Sequence, residues 1–288
     1  MLQVIDNKTA LAAEISAWKK AGMKIGFVPT MGALHEGHLV LVKRAREEND
    51  RVVVSIFVNP TQFNNPEDLK NYPRTLDSDV KQLEAIGPDL IFAPTVNEMY
   101  PEGRIPEVPE INLGSLDHVM EASHRPGHFK GVMQVVAQLF RLVQPDKAYF
   151  GEKDYQQLAV IRSMSRQLDL PVTIVGCPTV REPDGLAMSS RNMLLSPEER
   201  KEAALISRAL FYVRDNWNSY SVDELIHKAT SMIEKNGRMK VEYVSIADSI
   251  TLEPVSNWKE SSSVRVCTAV RLGKVRLIDN VGLTTGED

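Results

Sequence analysis

The chain has 288 residues, 43% hydrophobic and 25% charged, with a formal net charge of −4. That length allows one large or two ordinary domains with a substantial core and no need of disulfides or a structural metal. The composition is that of an ordinary folded protein, and the slightly acidic balance gives no bulk attraction to nucleic acid or to an anionic membrane surface.

Asn7 or Thr9 is placed to cap a first helix through Lys20, and "KIGFVPT" (24–30) reads as a buried strand ending at a proline. After "PTMGALHEGH" (29–38), "LVLVKRAREEND" (39–50) has helical spacing. "RVVVSIFVNP" (51–60) is the clearest strand, β-branched, almost continuously apolar and stopped by Asn-Pro. "TLDSDVKQLEAIG" (75–87) predicts a helix with an acidic first turn and a Gly stop, followed by a short strand at 89–94. Residues 94–128 are rich in Pro and Gly with weak periodicity. Helix (129–144), strand (146–151), helix (155–169) and strand (171–180) then alternate. In "SPEERKEAALISRALFYVRDNW", Ser196 is an N-cap with Pro197 first and Glu199 third. A helix at 221–237 and three strands, the last two joined by a tight "LGK" turn, complete the chain.

Strands alternating with helices from 24 to 180 predict an α/β fold with a Rossmann-like parallel sheet. The remainder predicts a smaller α+β domain, giving boundaries of 1–185 and 186–288. Ligands of such sheets lie beyond the carboxyl ends of the strands, where "PTMGALHEGH", "NPTQF", "FGEKD" and "PTVRE" all fall. Cys177 and Cys267 are the only cysteines; they are too few for a disulfide framework, lack zinc-site spacing, and read as buried residues of a cytoplasmic protein. No apolar run reaches the ~20 residues of a membrane helix, and the N-terminus lacks the basic head and apolar core of a signal peptide.

His35 and His38 admit three chemistries. A metal needs a third ligand and supporting partners, and no His or Cys stands in an obvious partner motif. A hydrolase base lacks a G-x-S-x-G elbow. A phosphate uses more of the residues: Gly32 allows close backbone approach, and a helix starting near Leu34 or His35 turns unpaired N–H groups toward an anion. Gly37 leaves room for a flat ring against that helix. By itself, Lys153 in "GEKDYQQL" reads as a solvated turn residue and Asp154 as an N-cap. "DGLAMSSRN" (184–192) suits an anion-binding loop, its Arg191 able to fork onto phosphate oxygens, or a polar linker.

An H-x-G-H helix start after the first strand with a Ser-Ser-Arg loop after the last is the layout of the nucleotidyltransferases. With "SIFVNPTQF", "YPRT", "RPGHFKGV", "FGEKDYQQL", "PTVRE" and "DGLAMSSRN" in order over most of residues 24–192, the chain resembles the pantothenate synthetase (pantoate–β-alanine ligase) family. That resemblance implies ATP-dependent condensation of pantoate with β-alanine through a pantoyl-adenylate, with release of AMP and pyrophosphate. It implies ATP contacts from Met31, Gly32, Ala33, Leu34, His35, Glu36, Gly37 and His38, then from Gly151, Glu152, Lys153 and Asp154. Val180 is implied at the adenine, and Met188, Ser189, Ser190 and Arg191 at the phosphates. His38 is implied as proton donor, with His35, Lys153 and Arg191 also in the catalytic set. Gln62 and Gln157 match pantoate ligands, with Asn59, Tyr72 and Phe57 supporting them. Mg²⁺ is implied on the ATP phosphates with no protein metal site, and the family is commonly a homodimer. No role is assigned to Arg125, His128 or Lys130, and His118, His124 and His227 read as incidental.

Two other functions fit part of the pattern. Another nucleotidyltransferase of the same fold accounts for the histidines and the Ser-Ser-Arg loop but not for Gln62 with Gln157. A non-catalytic nucleotide-binding module accounts for the scaffold but not for the full polar set. A tRNA-charging enzyme lacks its basic RNA-binding extension here.

Overall fold

Capping and periodicity signals position most elements of the structure, a computed structural model that describes residues 2–285. In chain order these are β1 (Gln3–Ile5), α1 (Lys8–Lys20), β2 (Ile25–Thr30), α2 (Glu36–Glu48), β3 (Arg51–Ile56), α3 (Pro66–Asn71), α4 (Leu76–Glu84), β4 (Leu90–Phe92), α5 (Val96–Met99) and α6 (Met120–His124). They continue with α7 (His128–Val143), β5 (Lys147–Gly151), α8 (Tyr155–Gln167), β6 (Thr173–Cys177), α9 (Pro197–Asn216), α10 (Val222–Glu234), β7 (Met239–Asp248), β8 (Ser263–Leu272) and β9 (Val275–Thr284). Asn7 caps α1 by accepting from Ala10 N at 2.9 Å. Reciprocal capping boxes start α9 (Ser196 with Glu199) and α10 (Ser221 with Glu224), as the S-x-x-E spacing predicts. Three features lie outside the sequence reading, the first being the short helix α3. β1 is too short for a periodic signal, and the region 94–128 contains short helices instead of plain loop.

The chain packs into two compact units. One comprises the chain up to Leu113, Arg125–Glu152 and Gln157–Pro178; the other comprises Gly114–His124, Lys153–Gln156 and the chain from Thr179 onward. The first unit holds a six-stranded parallel sheet of order β1-β4-β3-β2-β5-β6. Alternation along each strand serves two cores. Ile25, Phe27, Val53, Ala148 and Phe150 pack with α1, α7 and α8, whereas Val28, Val52, Val54 and Tyr149 pack with α2 and α4. Burial on both faces explains why β3 reads as a continuous apolar run. The order reverses at β2, with β3 and β4 on one side and β5 and β6 on the other. The crevice at such a switch point, beyond the strand ends, is where open α/β sheets bind ligands.

The second unit packs α9 and α10 on an antiparallel sheet of order β7-β8-β9. Its last hairpin pairs Leu272 with Val275, and Gly273 supplies the positive φ (57°) that the two-residue turn needs. A buried ion cluster also ties it together. Arg276 donates to both oxygens of Glu121 at 2.7 Å and to Glu242 at 2.7 Å, and Tyr243 OH donates to Glu121 at 2.9 Å. Cys177 and Cys267 are both buried and free. Burial pushes the Cys267 thiol up to about 12 and raises that of Cys177, so neither is a ready nucleophile. No helix among the described residues is long and apolar enough to cross a membrane.

Removing Arg276 strips the buried Glu121 carboxylate of the guanidinium that grips both its oxygens and leaves Glu242 with Arg271, at 2.6 Å. Arg276→Ala should cost about 3–5 kcal/mol in denaturant unfolding, and an unchanged midpoint would refute the ion cluster. Burial works against ionisation of Glu242, but Arg276, with Arg271 and His124 nearby, outweighs it and holds that carboxyl below its usual range. This share of stability is therefore complete above the ordinary carboxylate pKa and lost as pH falls through the folded-state value.

Candidate active site

The loop after β2 is shaped by two successive left-handed residues, Gly32 (φ 80°) and Ala33 (φ 50°). A Cβ on Gly32 would lie 3.1 Å from both Asp79 Oδ2 and Ile56 Cγ2, so close approach requires glycine there. Thr30 fixes the strand end by donating to Ser55 O at 2.7 Å and accepting from Gly32 N at 3.2 Å. Consecutive amides in such a turn converge into an anion-binding concavity. Here the anion is internal: the buried Asp79 carboxylate accepts from Ala33 N at 3.0 Å, from Leu34 N at 2.8 Å and from Thr75 Oγ1 at 3.2 Å. Gln82 Nε2 adds a bond to Leu34 O at 3.4 Å. The expectation of open loop amides is therefore corrected. α4 inserts a carboxylate that takes two of them.

The helix starts where expected, to within a residue. α2 begins at Glu36, with His35 as an extended N-cap (φ −143°, ψ 172°). Imidazoles replace the usual hydroxyl and carboxylate caps. His35 Nδ1 accepts from Gly37 N at 3.2 Å, and His38 Nδ1 accepts a long bond from His35 N at 3.4 Å. The two rings lie 4.1 Å apart, inclined by 41°. An Nδ1 that accepts an amide leaves the proton of a neutral ring on Nε2. Both half-buried histidines are thus set as Nε2–H donors. Glu36 is exposed and pairs with Lys43 at 2.8 Å.

Gln62 sits in a 3-10 turn, Pro60–Gln62, after β3. Its Oε1 accepts from Asn59 Nδ2 at 3.2 Å, and its Nε2 lies 2.7 Å from Met31 Sδ, beside the histidine loop. Asn59 is committed to the protein. Its Nδ2 also donates to Gly131 O at 3.2 Å, and its Oδ1 accepts from Tyr100 OH at 2.9 Å and from Thr61. Burial pushes the Tyr100 hydroxyl up to about 12, so it remains a donor. Gly131 lets α7 approach: a Cβ there would fall 2.7 Å from Thr61 C and 2.9 Å from Gln62 Cα. Two residues left without a role now have one. His128 Nδ1 lies 2.8 Å from Gln62 O, and Arg125 Nη2 donates to it at 3.4 Å; Lys130 is exposed. Phe57 is 5% exposed within the core, edge-on to Tyr100, and Tyr72 packs edge-on to Phe63. Gly151 ends β5 and Glu152 follows it. Gln157 is half-buried on α8, whereas the adjacent Gln156 is buried and holds Glu121 N, Leu116 O and Val119 O.

The other sequence-predicted residues belong to the second unit. Lys153 and Asp154 close a 3-10 turn that runs straight into α8, so Asp154 is not an isolated cap; their charges lie 3.7 Å apart. Val180 O accepts from Met188 N at 3.0 Å, and Arg181 bridges to Ala187, folding residues 180–188 into a small hairpin. Ser189 caps the next turn by accepting from Arg191 N at 3.2 Å, and Ser190 is buried within it. Arg181 grips Asp279 with two bonds, 2.7 and 2.9 Å. Burial pushes the Asp279 carboxyl up, and the Arg181 guanidinium pulls it back toward the charged form.

The residues that sequence reading missed are Asp79, Gln82, Tyr100, Gly131, Arg181 and Asp279. An Asp in a first helical turn looks like a dipole partner, and no local signal says that it reaches a loop forty-six residues earlier. Lone Gly131 inside the helical pattern of α7 was the one visible clue, since an interior glycine marks close packing.

A family model described as pantoate-beta-alanine ligase matches residues 3–282. The chain is 52% identical over 280 residues to a pantothenate synthetase of Bacteroides thetaiotaomicron, covering 97% of this chain and 98% of that one. It superposes on the crystal structure of pantothenate synthetase from Thermus thermophilus with a TM-score of 0.91 at 47% identity, covering 97% and 99% of the two chains. It also superposes, with a TM-score of 0.81 at 37% identity and 98% and 97% coverage, on a pantoate-beta-alanine ligase from Francisella tularensis complexed with beta-gamma ATP and beta-alanine.

Asp79→Ala should destabilise by about 1–3 kcal/mol for each amide that loses its buried acceptor. Equilibrium unfolding measures this, and a wild-type transition would show that the carboxylate does not hold the loop.

Proposed function

The chain belongs to the pantoate–β-alanine ligase family, and from that membership we propose how its residues serve the reaction. The activity is the ATP-dependent joining of pantoate to β-alanine. The observation that carries the reading is the His35–His38 pair at the carboxyl end of β2, where the strand order reverses, with both Nδ1 atoms accepting amides.

In the first step a pantoate carboxylate oxygen attacks the α-phosphorus of ATP, and the bond to pyrophosphate breaks. Negative charge builds on the phosphoryl oxygens and on the leaving group, so fixed donors and cations lower the barrier most. Two Nε2–H donors at a helix start meet that need as hydrogen bonds, with no proton given up. We therefore assign His38 and His35 to charge stabilisation, Lys153 and Arg191 to the phosphates, and the rest of Met31–His38, Gly151–Asp154, Val180 and Met188–Ser190 to nucleotide contacts. Gln62 and Gln157 are assigned to pantoate, because an amide offers both donor and acceptor to a carboxylate and hydroxyls. Asn59 serves through Gln62, with Tyr72 and Phe57 forming packing behind them. In the second step the β-alanine amine attacks the acyl carbon, loses a proton, and AMP departs. Under this reading residues 1–185 bind ATP and pantoate and 186–288 form a lid.

Mg²⁺ belongs to the same reading as an ion that arrives on the ATP phosphates and supplies positive charge there. Among the described residues no group of three or more His, Cys, Asp and Glu side chains is placed to hold a metal. We also place the enzyme in the cytoplasm as a homodimer. Sedimentation at about twice the 32.2 kDa chain mass is expected, and a monomer at working concentration would overturn that assignment.

His38→Ala and Lys153→Ala should each lower kcat by about 100-fold or more while leaving thermal unfolding nearly unchanged. Near-normal turnover in either variant removes that residue from the mechanism. Pyrophosphate released from ATP and pantoate alone, with AMP appearing only on adding β-alanine, distinguishes this ligase from a simple nucleotidyltransferase.

A further inference from the structure

Strand β9 carries two adjacent, nearly buried polar residues, Asp279 and Asn280, exposed by 3% and 4%. Such side chains in a sheet are retained only with partners, and these partners are unusual. Asp279 holds Arg181, directly after Val180. Asn280 Nδ2 donates to the main-chain oxygen of Lys153 at 2.9 Å. Its Oδ1 accepts from Arg265 Nη1 at 3.1 Å, and its own carbonyl accepts from Arg181 Nη2 at 3.1 Å. Arg265 in turn lies 3.8 Å over the ring of Tyr155, whose hydroxyl donates to Ser249 O at 2.9 Å.

The four-residue stretch Lys153–Gln156 is thus fastened to β9 at its main chain, to β8 at its aromatic ring and to the turn after β7 at its hydroxyl. A lysine ammonium rides on a flexible four-carbon stem, so its position depends on the backbone it leaves as well as on what packs against the stem. The Lys153 side chain is 17% exposed, and among the described residues its one ion pair is with the neighbouring carboxylate of Asp154 at 3.7 Å. The bond from Asn280 is the side-chain contact that holds the main chain at the point where the stem begins.

The geometry points to Asn280 as a positioning residue for catalysis, fixing the Lys153 backbone so that the ammonium meets the phosphate undergoing substitution. This rests on the assignment of Lys153 to the phosphates. It gives the C-terminal strand a part in the chemistry, and it predicts a loss in kcat that depends on Lys153.

Asn280→Asp tests this with nearly the same shape. It keeps an acceptor for Arg265 and loses the donor to Lys153 O. Asn280→Ala is the companion should a second carboxylate beside Asp279 impair folding. Either should lower kcat for AMP formation by about 100-fold, with KM for pantoate within about twofold and the folded fraction, read by thermal unfolding, unchanged at assay temperature. In a Lys153→Ala background the same substitution should change kcat by less than about twofold. Wild-type kcat in a folded Asn280 variant overturns the proposal, as does a loss that multiplies fully with that of Lys153→Ala. If Lys153→Ala itself turns over normally, the phosphate role of Lys153 fails first and this inference falls with it. A crippled Lys153→Ala beside a normal Asn280→Asp sinks the positioning role alone.

Discussion

Strand β2 is bonded to β3 along its whole length and to β5 through Gly26 and Phe27, and nearly all of it is buried. It cannot shift without breaking both ladders. Its carboxyl end stays in register with β3 through Thr30, so the loop that leaves it starts from a fixed, buried point. Gly32 and Ala33 turn the chain sharply, and Asp79 from α4 locks the turn by taking two amides. Only then does α2 begin, with His35 and His38 capping it and each other. Two imidazoles 4.1 Å apart with accepting Nδ1 atoms follow from this sequence of restraints.

The same economy recurs around Gln62. Its main-chain oxygen is engaged by His128 and Arg125, its amide rests on Asn59 and Met31, and Gly131 gives α7 room to approach. Under the proposed assignment of Gln62 to pantoate, such restraint matters because misplacement by an ångström costs rate steeply. Arg125, His128 and Gly131 come from more than sixty positions along the chain and meet Gln62 at its main chain.

In the second unit polar groups are also paired internally, but through charge. The Arg276–Glu121–Glu242 and Arg181–Asp279 clusters bury ions that gain their place only by mutual satisfaction. Arg181–Asp279 anchors the start of the small hairpin at 180–188, and Asn280 beside it reaches Lys153. The C-terminal sheet is therefore more than packing for α9 and α10.

Local signals in the sequence determined the longer elements. Periodicity marked the alternating strands and helices, Ser196 with Glu199 marked a helix start, and the short motifs after each strand marked the ends where chemistry collects. They also picked out the residue types that carry charge and hydrogen bonds. Tertiary structure alone decided which amides were already taken, which imidazole nitrogens accept, and which residues hold Gln62 and Lys153. Asp79, Gly131 and Asn280 act on partners 46, 69 and 127 positions away. Hydrogen-bond satisfaction is settled by proximity in the folded chain, and no local pattern encodes a partner at that distance.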